Sequence, residues 1–390
     1  MSLLVIGDVV TDVVAMRVPR LYGCAPPAGR PGEAAVADGP AGGHGPGTGD
    51  APGVGYDGGS RPGHETVEVR GALEDGRRRG TADGPPDGTG QSGCGTAVAG
   101  IGTGIGTGIG TGIGTDTAAD IVLRPGGSGA NTASWAAHLG TDTRLLTRVG
   151  RDIGEWHTAE LRRAGVRPHV RIDPDHPTAV VIAMVDVTGE RSMLTNRGAS
   201  GRICAADWED GLLDGVRHLH VSGYILFAPP GLELARLALA AAARRGVTVS
   251  VDPASAGFLR AFGAERFLAE TAGADFLIPN LDEALLLSGL GPGGDPESAA
   301  TRLSGRYRTA IVKLGSRGAL LAQGGRVVAR VPAEKTEVID STGAGDAFAA
   351  GFLTALLAGR SAADSVAFGC RAGAQAVGQV GGRPHAVFGT

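Results

Sequence analysis

The residues best suited to chemistry lie together in one short stretch, 340–352. Within it, Gly343, Ala344 and Gly345 come directly before Asp346, at the predicted start of a helix. The first amides of a helix have no partner inside it, and with the helix dipole they attract anions. A carboxylate at the same place can accept a proton from a hydroxyl while charge develops on a phosphoryl group. The stretch therefore suits phosphoryl transfer, with Asp346 as the base and the backbone amides from Gly343 to Asp346 as an anion hole.

A structural role for Asp346 is the alternative that these residues leave open. Aspartate is common at the N-cap of a helix, where it adds about 1 kcal/mol of stability. Glycine-rich turns also precede many helices, so the Gly-Ala-Gly-Asp pattern by itself does not separate a base from a cap.

The elements that must position this stretch follow a regular order along the chain. Apolar runs predict strands at 3–7, 144–149, 218–222, 247–252, 275–279, 309–314 and 336–339. Helices are predicted at 130–139, 155–164, 232–245, 281–288, 297–304, 346–358 and 362–377. Further strands near 13–20 and 118–124 are available for a small side sheet, and a hairpin is predicted with strands at 178–187 and 191–195. Strand–helix alternation at this spacing is typical of a parallel sheet covered by helices.

Glycine content divides the chain into two kinds of sequence. The chain has 68 glycines in 390 residues, and the excess is concentrated in 23–114, which ends in a tandem Ile-Gly-Thr-Gly repeat. Such a composition buries too little apolar surface to offset the entropy of ordering, so this segment is predicted to be disordered. Residues 1–22 and 115–390 are predicted to form one domain, interrupted by the Gly/Pro-rich insertion at 23–114.

Net charge and hydropathy exclude several classes of partner. The net charge of −4 provides no basic surface for nucleic acid or an anionic membrane. No apolar run reaches the roughly 18 residues of a transmembrane helix, and the first residues lack the basic and apolar regions of a signal peptide. A soluble, cytoplasmic protein is therefore expected.

Two separated signatures give the chain a family resemblance. Stretch 340–352 is similar to the C-terminal signature of the ribokinase-like (PfkB) carbohydrate kinases, in which the last residue of the Gly-Ala-Gly-Asp box is the catalytic base. Segment 126–133, followed by Gly140 and Gly150, resembles the N-terminal signature of that family. The resemblance implies a three-layer α/β/α fold with a mostly parallel central sheet and a small β lid, which the insertion interrupts. It also implies an ATP-dependent kinase that phosphorylates a hydroxyl of a small sugar or sugar acid.

Further positions match this family on the side of the substrate. Asp12 resembles the early acidic residue that binds substrate hydroxyls, and Gly127 and Asn131 resemble residues that line the substrate pocket. Asn131 could instead, or in addition, be a helix N-cap, and Asp12 could be an ordinary aspartate at a strand end.

The resemblance also implies a nucleotide site and two metal roles. The residues implied for ATP binding are Asn280, Lys313, Gly315, Ser316 and Gly318. Glu283, in an Asn-x-x-Glu pattern, would organise Mg²⁺ through water, although a capped helix with a solvated glutamate is the structural alternative. Asp340 and Thr342 fall where many relatives bind a monovalent cation, which makes potassium a further candidate cofactor.

Departures from the family pattern concern the acceptor. Val10 and Ser128 replace a polar residue and a lysine that are typical of ribokinases, so ribose is not favoured. Arg191 and Arg197 flank predicted strand ends, where either could bind a substrate carboxylate or phosphate or simply face solvent.

Two other functions and an assembly remain as alternatives. A nucleoside kinase of the same family would need aromatic or apolar walls for its base, and aromatic residues make up only 4% of the chain. A non-catalytic sugar or nucleotide sensor on the same scaffold is the other alternative. Because family members often dimerise through the lid, a homodimer of that kind is a candidate assembly.

Deleting residues 25–112 tests the predicted independence of the insertion. The catalytic constant is expected to change little, because the entropy of closing a surface loop grows only logarithmically with its length. Steady-state kinetics of the deleted and full-length proteins provide the comparison, and a loss of more than about tenfold, or about 1.4 kcal/mol, would contradict the prediction.

Overall fold

A computed structural model describes residues 2–17, 119–185 and 191–385. The predicted disordered insertion at 23–114 and the boundaries drawn at 22 and 115 lie outside these residues. The described residues form two sheets and nine α-helices.

Nine strands form the larger sheet. In spatial order they are β13 (Arg326–Val331), β12 (Ala319–Gln323), β11 (Thr309–Lys313), β10 (Phe276–Leu277), β9 (Thr248–Asp252), β8 (Val216–Ser222), β1 (Ser2–Ile6), β4 (Asp142–Gly150) and β5 (Arg167–Asp173). All pairs from β11 to β5 are parallel, while β12 and β13 pair antiparallel at one edge. Strand β1 is buried at every position, as expected for a parallel strand covered on both faces.

Helices cover both faces of this sheet. They are α1 (Ser128–His138), α2 (Gly154–Arg163), α3 (Pro229–Arg245), α4 (Ala256–Phe262), α5 (Ala264–Glu270), α6 (Leu281–Ser288), α7 (Pro296–Leu303), α8 (Ala344–Leu357) and α9 (Ala362–Val377). Strand β1 contributes Leu4 and Ile6 to one apolar core and Leu3 and Val5 to the other. Since alternate residues of a strand point to opposite faces, the two cores lie on opposite sides of the sheet. The predicted three-layer α/β/α architecture is confirmed.

The smaller sheet is the predicted β lid. Its spatial order is β3 (Ala119–Gly126), β2 (Val10–Arg17), β6 (Ala179–Val185) and β7 (Arg191–Asn196). Strand β2 is antiparallel to β3 and parallel to β6, and β6 and β7 pair antiparallel as the predicted hairpin requires. The turn of that hairpin, 188–190, lies outside the described residues.

One predicted strand is absent and one hairpin was missed. Residues 336–339 do not form a strand: the side chains of Val338 and Ile339 are 67% and 56% exposed, and the Ile339 amide donates to Val377 O at the end of α9. The missed hairpin is β12–β13, whose outer strand alternates exposed and half-buried residues. Among the described helices, none is long and apolar enough to cross a membrane.

The end of β1 meets the start of α1 at a contact between two glycines. A Cβ on Gly129 would lie 2.4 Å from the Cα of Gly7, so neither backbone could come this close with a side chain in between. The amides of Ser128 and Gly129 both donate to the Asp8 carboxylate at 3.1 Å. This contact places the N-terminus of α1 at the carboxyl end of the central strands, where open α/β sheets bind their ligands.

Replacement of Gly129 by alanine tests this close packing. Gly129→Ala is expected to lower the free energy of unfolding by about 1–3 kcal/mol, since the new methyl group overlaps a backbone atom that cannot rotate away. Gly257→Ala is the matched control, because its Cβ would meet only the Ser255 hydroxyl at an ordinary distance of 3.7 Å. Chemical denaturation measures both, and equal stability of the two variants would refute the packing argument.

Candidate active site

A cavity of about 490 Å³ lies between the lid and the carboxyl ends of the central strands. Most of the residues singled out in the sequence line it: Asp12, Gly127, Asn131, Asn280, Glu283, Lys313, Gly315, Asp340, Thr342, Gly343, Gly345 and Asp346. The fold therefore brings the two signature segments, 126–133 and 340–352, to one place.

Asp346 is held in this cavity by two donors from α1. Ser128 Oγ donates to Oδ1 at 2.8 Å, and Asn131 Nδ2 donates to Oδ2 at 2.9 Å. Burial raises the pKa of Asp346 to about 7; the hydrogen bond from Asn131 opposes that rise, while the charge of Asp252 adds to it. A carboxyl group with a pKa near neutrality, fixed in orientation, has the properties of a general base.

Neither Asp346 nor Asn131 caps a helix. The N-cap of α8 is Gly343 and the N-cap of α1 is Gly127, so the capping interpretation of both side chains is wrong. Asn131 uses its amide to hold Asp346 instead.

The turn before Asp346 leaves main-chain donors available. Within the described part of the chain, the amides of Gly343, Gly345 and Asp346 make no hydrogen bond, and their residues line the cavity. The Ala344 amide differs from this expectation, because it donates to Ser341 O at 3.3 Å and so belongs to the turn itself. Gly343 has φ +74°, and a Cβ there would lie 2.6 Å from Gly382, which explains the need for glycine. Three amides, rather than the four predicted, remain for an anion.

Lys313 adds a positive charge beside these amides. Its ammonium pairs with Asp252 and lies 3.3 Å from the place that a Cβ on Gly345 would occupy. Burial lowers the pKa of Lys313, but the charges of Asp252 and Glu283 outweigh burial and hold it above its ordinary value. Lys313 is therefore charged at neutral pH and lies beside the turn that carries Gly345.

Asn280 and Glu283 form a capping box at the start of α6. Asn280 Oδ1 accepts from the Glu283 amide at 2.9 Å, and Glu283 Oε2 accepts from the Asn280 amide at 2.8 Å. Asn280 is thus a cap, as the structural alternative held, but Glu283 is not solvated: it is 1% exposed and lines the cavity. Burial, followed by the charge of Asp252, raises the pKa of Glu283 to about 7.

The carboxylates of this region fit Mg²⁺ only through water. Among the described residues no group of three or more His, Cys, Asp or Glu side chains could hold a metal ion. Glu283 has one oxygen already bound to a main-chain amide and faces a cavity that Asp252 and Asp346 share. Such a sparse set of oxygen ligands suits Mg²⁺, which keeps several waters and binds mainly to phosphates.

The turn after β11 contributes less to the cavity than the sequence predicted. Gly315 lines the cavity, whereas Ser316 is exposed and Gly318 is buried away from it. A Cβ on Gly318 would lie 1.9 Å from Val331 O, so this glycine permits a close approach of β13 and not of a nucleotide. The resemblance implied ATP contacts for both Ser316 and Gly318, but neither residue belongs to the cavity lining.

Asp340 connects the reactive turn to the segment 380–385. Its Oδ1 accepts from the Thr342 amide at 2.8 Å and its Oδ2 accepts from the Gly381 amide at 2.9 Å. Both oxygens thus support main chain. The monovalent-cation role of Asp340 and Thr342 stays a prediction.

Asp12 lies on the lid side of the cavity, against the turn that begins the first signature. A Cβ on Gly126 would lie 2.0 Å from Asp12 Oδ2, so the carboxylate rests directly on that glycine. Burial and the charge of Asp8 raise the pKa of Asp12 to about 6, while Arg383 acts in the opposite direction. Gly127 has φ +99°, and a side chain there would meet Asp8 O at 2.6 Å.

Arg197 is occupied within the protein. Its guanidinium donates to Tyr224 O at 2.5 Å and to Phe227 O at 3.2 Å. These two hydrogen bonds do not favour the hypothesis that Arg197 binds a carboxylate or phosphate of the substrate. The side chain of Arg191 lies outside the described ones.

Sequence reasoning missed the residues that support the others. Ser128 was noted only as a departure, and Asp8 and Asp252 were not singled out, although each aspartate lies at the carboxyl end of a central strand. Charged residues at the carboxyl ends of parallel strands often contact ligands, and this pattern in the sequence could have identified both aspartates.

Comparisons with known proteins agree with this geometry. The model of the pfkB family carbohydrate kinases matches residues 109–386. A fructokinase of Klebsiella pneumoniae is 31% identical over 248 residues, which cover 60% of this chain and 77% of that protein. The crystal structure of the adenosine kinase from Sinorhizobium meliloti is 31% identical with a TM-score of 0.64, covering 68% of this chain and 81% of that chain.

A second solved structure has a similar fold and contains a nucleotide. It is a putative ribokinase II from E. coli in complex with ATP and Mg²⁺, with a TM-score of 0.61 at 24% identity, covering 70% of this chain and 89% of that one. The family model spans well over half of the chain and includes both signature segments, so the resemblance is confirmed. The protein belongs to the pfkB family of carbohydrate kinases, which are phosphotransferases with an alcohol group as acceptor.

Proposed function

We propose that the protein transfers the γ-phosphoryl group of ATP to a hydroxyl of a small, neutral sugar. The observation that carries the proposal is the position of Asp346, oriented by Ser128 and Asn131 beside amides that have no partner in the described structure. A hydroxyl placed between this carboxylate and the amides would be deprotonated as it attacks the phosphoryl group.

Each part of the cavity has a role in this reaction. Asp12 and Asn131 bind and orient the acceptor, and Asp346 accepts the proton of the attacking hydroxyl. The amides of Gly343 and Gly345 and the ammonium of Lys313 stabilise the charge that develops on the phosphoryl oxygens. Mg²⁺, when bound with ATP near Glu283, would neutralise phosphate charge.

The charges of the cavity favour a neutral acceptor over a sugar acid. Six carboxyl groups line it, those of Asp8, Asp12, Asp252, Glu283, Asp340 and Asp346, against three cationic side chains, those of Arg124, Arg197 and Lys313. Of these cations, Lys313 pairs with Asp252 and Arg197 binds two carbonyl groups. A carboxylate on the acceptor would therefore meet mostly negative charge.

A nucleoside is the second candidate acceptor, and the lid supplies the observation that favours it. The residues of the lid that face the cavity are mainly apolar: Val10, Val14, Ala179, Val181, Ala183 and Met193. The small number of aromatic residues suggested that such a wall was lacking, but aliphatic side chains provide one here. An apolar wall next to a hydroxyl-binding carboxylate suits a base attached to a sugar.

Asp346→Asn tests the proposed base. Turnover should fall by about 100-fold or more, because an amide cannot accept the proton, while the dissociation constant for ATP should stay within about twofold. Asp175→Asn removes an exposed carboxylate outside the cavity and serves as the control. Coupled kinetics and calorimetry provide the two measurements, and undiminished turnover in Asp346→Asn would remove this residue from its role.

A panel of acceptors with ATP and Mg²⁺, with and without potassium, separates the two candidates. Neutral sugars should give a higher kcat/KM than sugar acids if the first proposal is right. If nucleosides are preferred, Val181→Thr should lower kcat/KM for them by about tenfold and leave sugars nearly unchanged, because it places a hydroxyl in the apolar wall at almost constant volume. Equal use of neutral sugars and sugar acids would contradict the charge argument.

The outer face of the lid supports the homodimer expected from the family. Ile121, Leu123, Ile182 and Leu194 are exposed there, on strands that form one continuous sheet. Sedimentation velocity should show a dimer that Leu194→Glu converts to a monomer, since a charge cannot be buried unpaired in an apolar interface. A wild-type protein that sediments as a monomer would remove the proposal.

A further inference from the structure

Arg383 is a buried cation that the proposed mechanism does not use. It is 8% exposed, and its Nη2 donates to Gly126 O at 3.0 Å. Its Nε and Nη1 are buried and have no hydrogen-bond partner among the described residues. Burying a charge with so few hydrogen bonds is costly, so its position calls for an electrostatic explanation.

Hydrogen bonds to the backbone of segment 380–385 hold Arg383 in place. Trp135 Nε1 donates to Gly382 O at 2.9 Å, and the Gly381 amide donates to Asp340. Gln379 Nε2 donates to the carbonyl oxygen of Arg383 itself at 2.9 Å. Because the backbone is bound before, at and after Gly382, the guanidinium stays behind the turn that starts the first signature.

Arg383 and Asp12 meet at Gly126. The Asp12 carboxylate rests on the α-carbon of this glycine, and the guanidinium binds its carbonyl oxygen. One peptide unit thus separates the buried cation from the carboxylate that faces the acceptor.

The other charges near this pair leave Arg383 as the main counterion of Asp12. Asp8, after β1, and Asp340, before α8, both oppose ionisation of Asp12. Arg124, its cross-strand neighbour on β3, directs its guanidinium to Val380 O at 3.5 Å.

On the far side, helix α2 presents two groups to Arg383. The charge of Glu160 favours the charged form of Arg383. His157 is buried, binds Thr11 Oγ1 at 2.8 Å, and burial lowers its pKa to about 3, so it is neutral. Neither group supplies positive charge to Asp12.

We propose that Arg383 is a positioning residue for the acceptor: it fixes the Gly126–Gly127 turn and supplies the positive charge that keeps the Asp12 carboxylate ionised to receive the acceptor hydroxyls. This inference rests on the proposed function, because Asp12 is assigned there to acceptor binding.

The sign of the pH effect follows from the charges. The pKa of Asp12 is already raised to about 6, mainly by burial, and Arg383 opposes the rise. Without Arg383 the pKa of Asp12 rises further, so the ionised form is lost at a higher pH as the solution is acidified. A rise of about one pH unit means about tenfold less ionised carboxylate below the midpoint.

The experiment compares Arg383→Gln with Arg163→Gln, which removes an exposed arginine 61% accessible at its side chain. In Arg383→Gln, the KM for the acceptor should rise by about fivefold at pH 6 and by roughly tenfold at about pH 5, with kcat and the KM for ATP within about twofold of the wild type at each pH. The acidic limb of acceptor affinity, measured as 1/Kd by calorimetry so that proton uptake by Asp346 during turnover does not enter, should move up by about one pH unit, and the control should leave it in place.

A second pair of variants separates charge from structure. In an Asp12→Asn background, Arg383→Gln should add less than about twofold to the acceptor KM, because the group it acts on is gone. Arg383→Lys keeps the charge and should keep the acidic limb within about 0.3 pH unit of the wild type, even if the Gln variant does not fold.

Three results would overturn the inference while leaving the kinase proposal intact. They are equal behaviour of Arg383→Gln and Arg163→Gln, an undiminished effect in the Asp12→Asn background, and a full shift of the acidic limb in Arg383→Lys. A wild-type protein that phosphorylates no acceptor on the panel would instead remove the proposed function on which the inference rests.

Discussion

The candidate site depends on keeping one buried carboxylate, that of Asp346, able to ionise. Asp346 lies in a cavity that also contains Asp8, Asp12, Asp252 and Glu283, and burial alone would favour its neutral form. The donors on α1 and the nearby ammonium group offset that tendency. This balance keeps the pKa of Asp346 close to neutral pH, where a carboxyl group can both take up and release a proton. The close contact between Gly7 and Gly129 is what brings the donors on α1 within reach of Asp346.

Glycines make these contacts possible in two distinct ways. At Gly7 and Gly129 two backbones touch, which places the donors of α1 next to the end of β1. At Gly343 the backbone needs both a positive φ and the absence of a side chain, because Gly382 fills the space. The first contact positions the donors that hold Asp346, the proposed base, and the second shapes the turn whose amides we propose as an anion hole. Replacing either glycine would therefore disturb different parts of the same cavity.

The sequence predicted the architecture well because strong local patterns determine it. The buried parallel strands and the helices α6, α8 and α9 were located within a few residues, since apolar runs and glycine stops mark them. The proposed base and anion hole also lie in one short motif, while the lid was expected from the family resemblance. The prediction of a strand at 336–339 was wrong because a strand needs a neighbouring strand for its backbone hydrogen bonds, and this segment has none among the described residues. Ser128 and Arg383 could not be found because their importance comes from contacts between segments far apart in the chain.

The distribution of the site along the chain has a consequence for folding. The turn at Gly126 and the guanidinium that binds it are separated by 257 positions, and Ser128 and Asp346 by 218. Contacts between such distant residues form late and slow the search for the native state. A nascent chain that has completed every strand of the central sheet, but not yet residues 380–383, still lacks part of the lining of the candidate cavity. The cavity lining is therefore complete only once this segment has packed against the two signature segments.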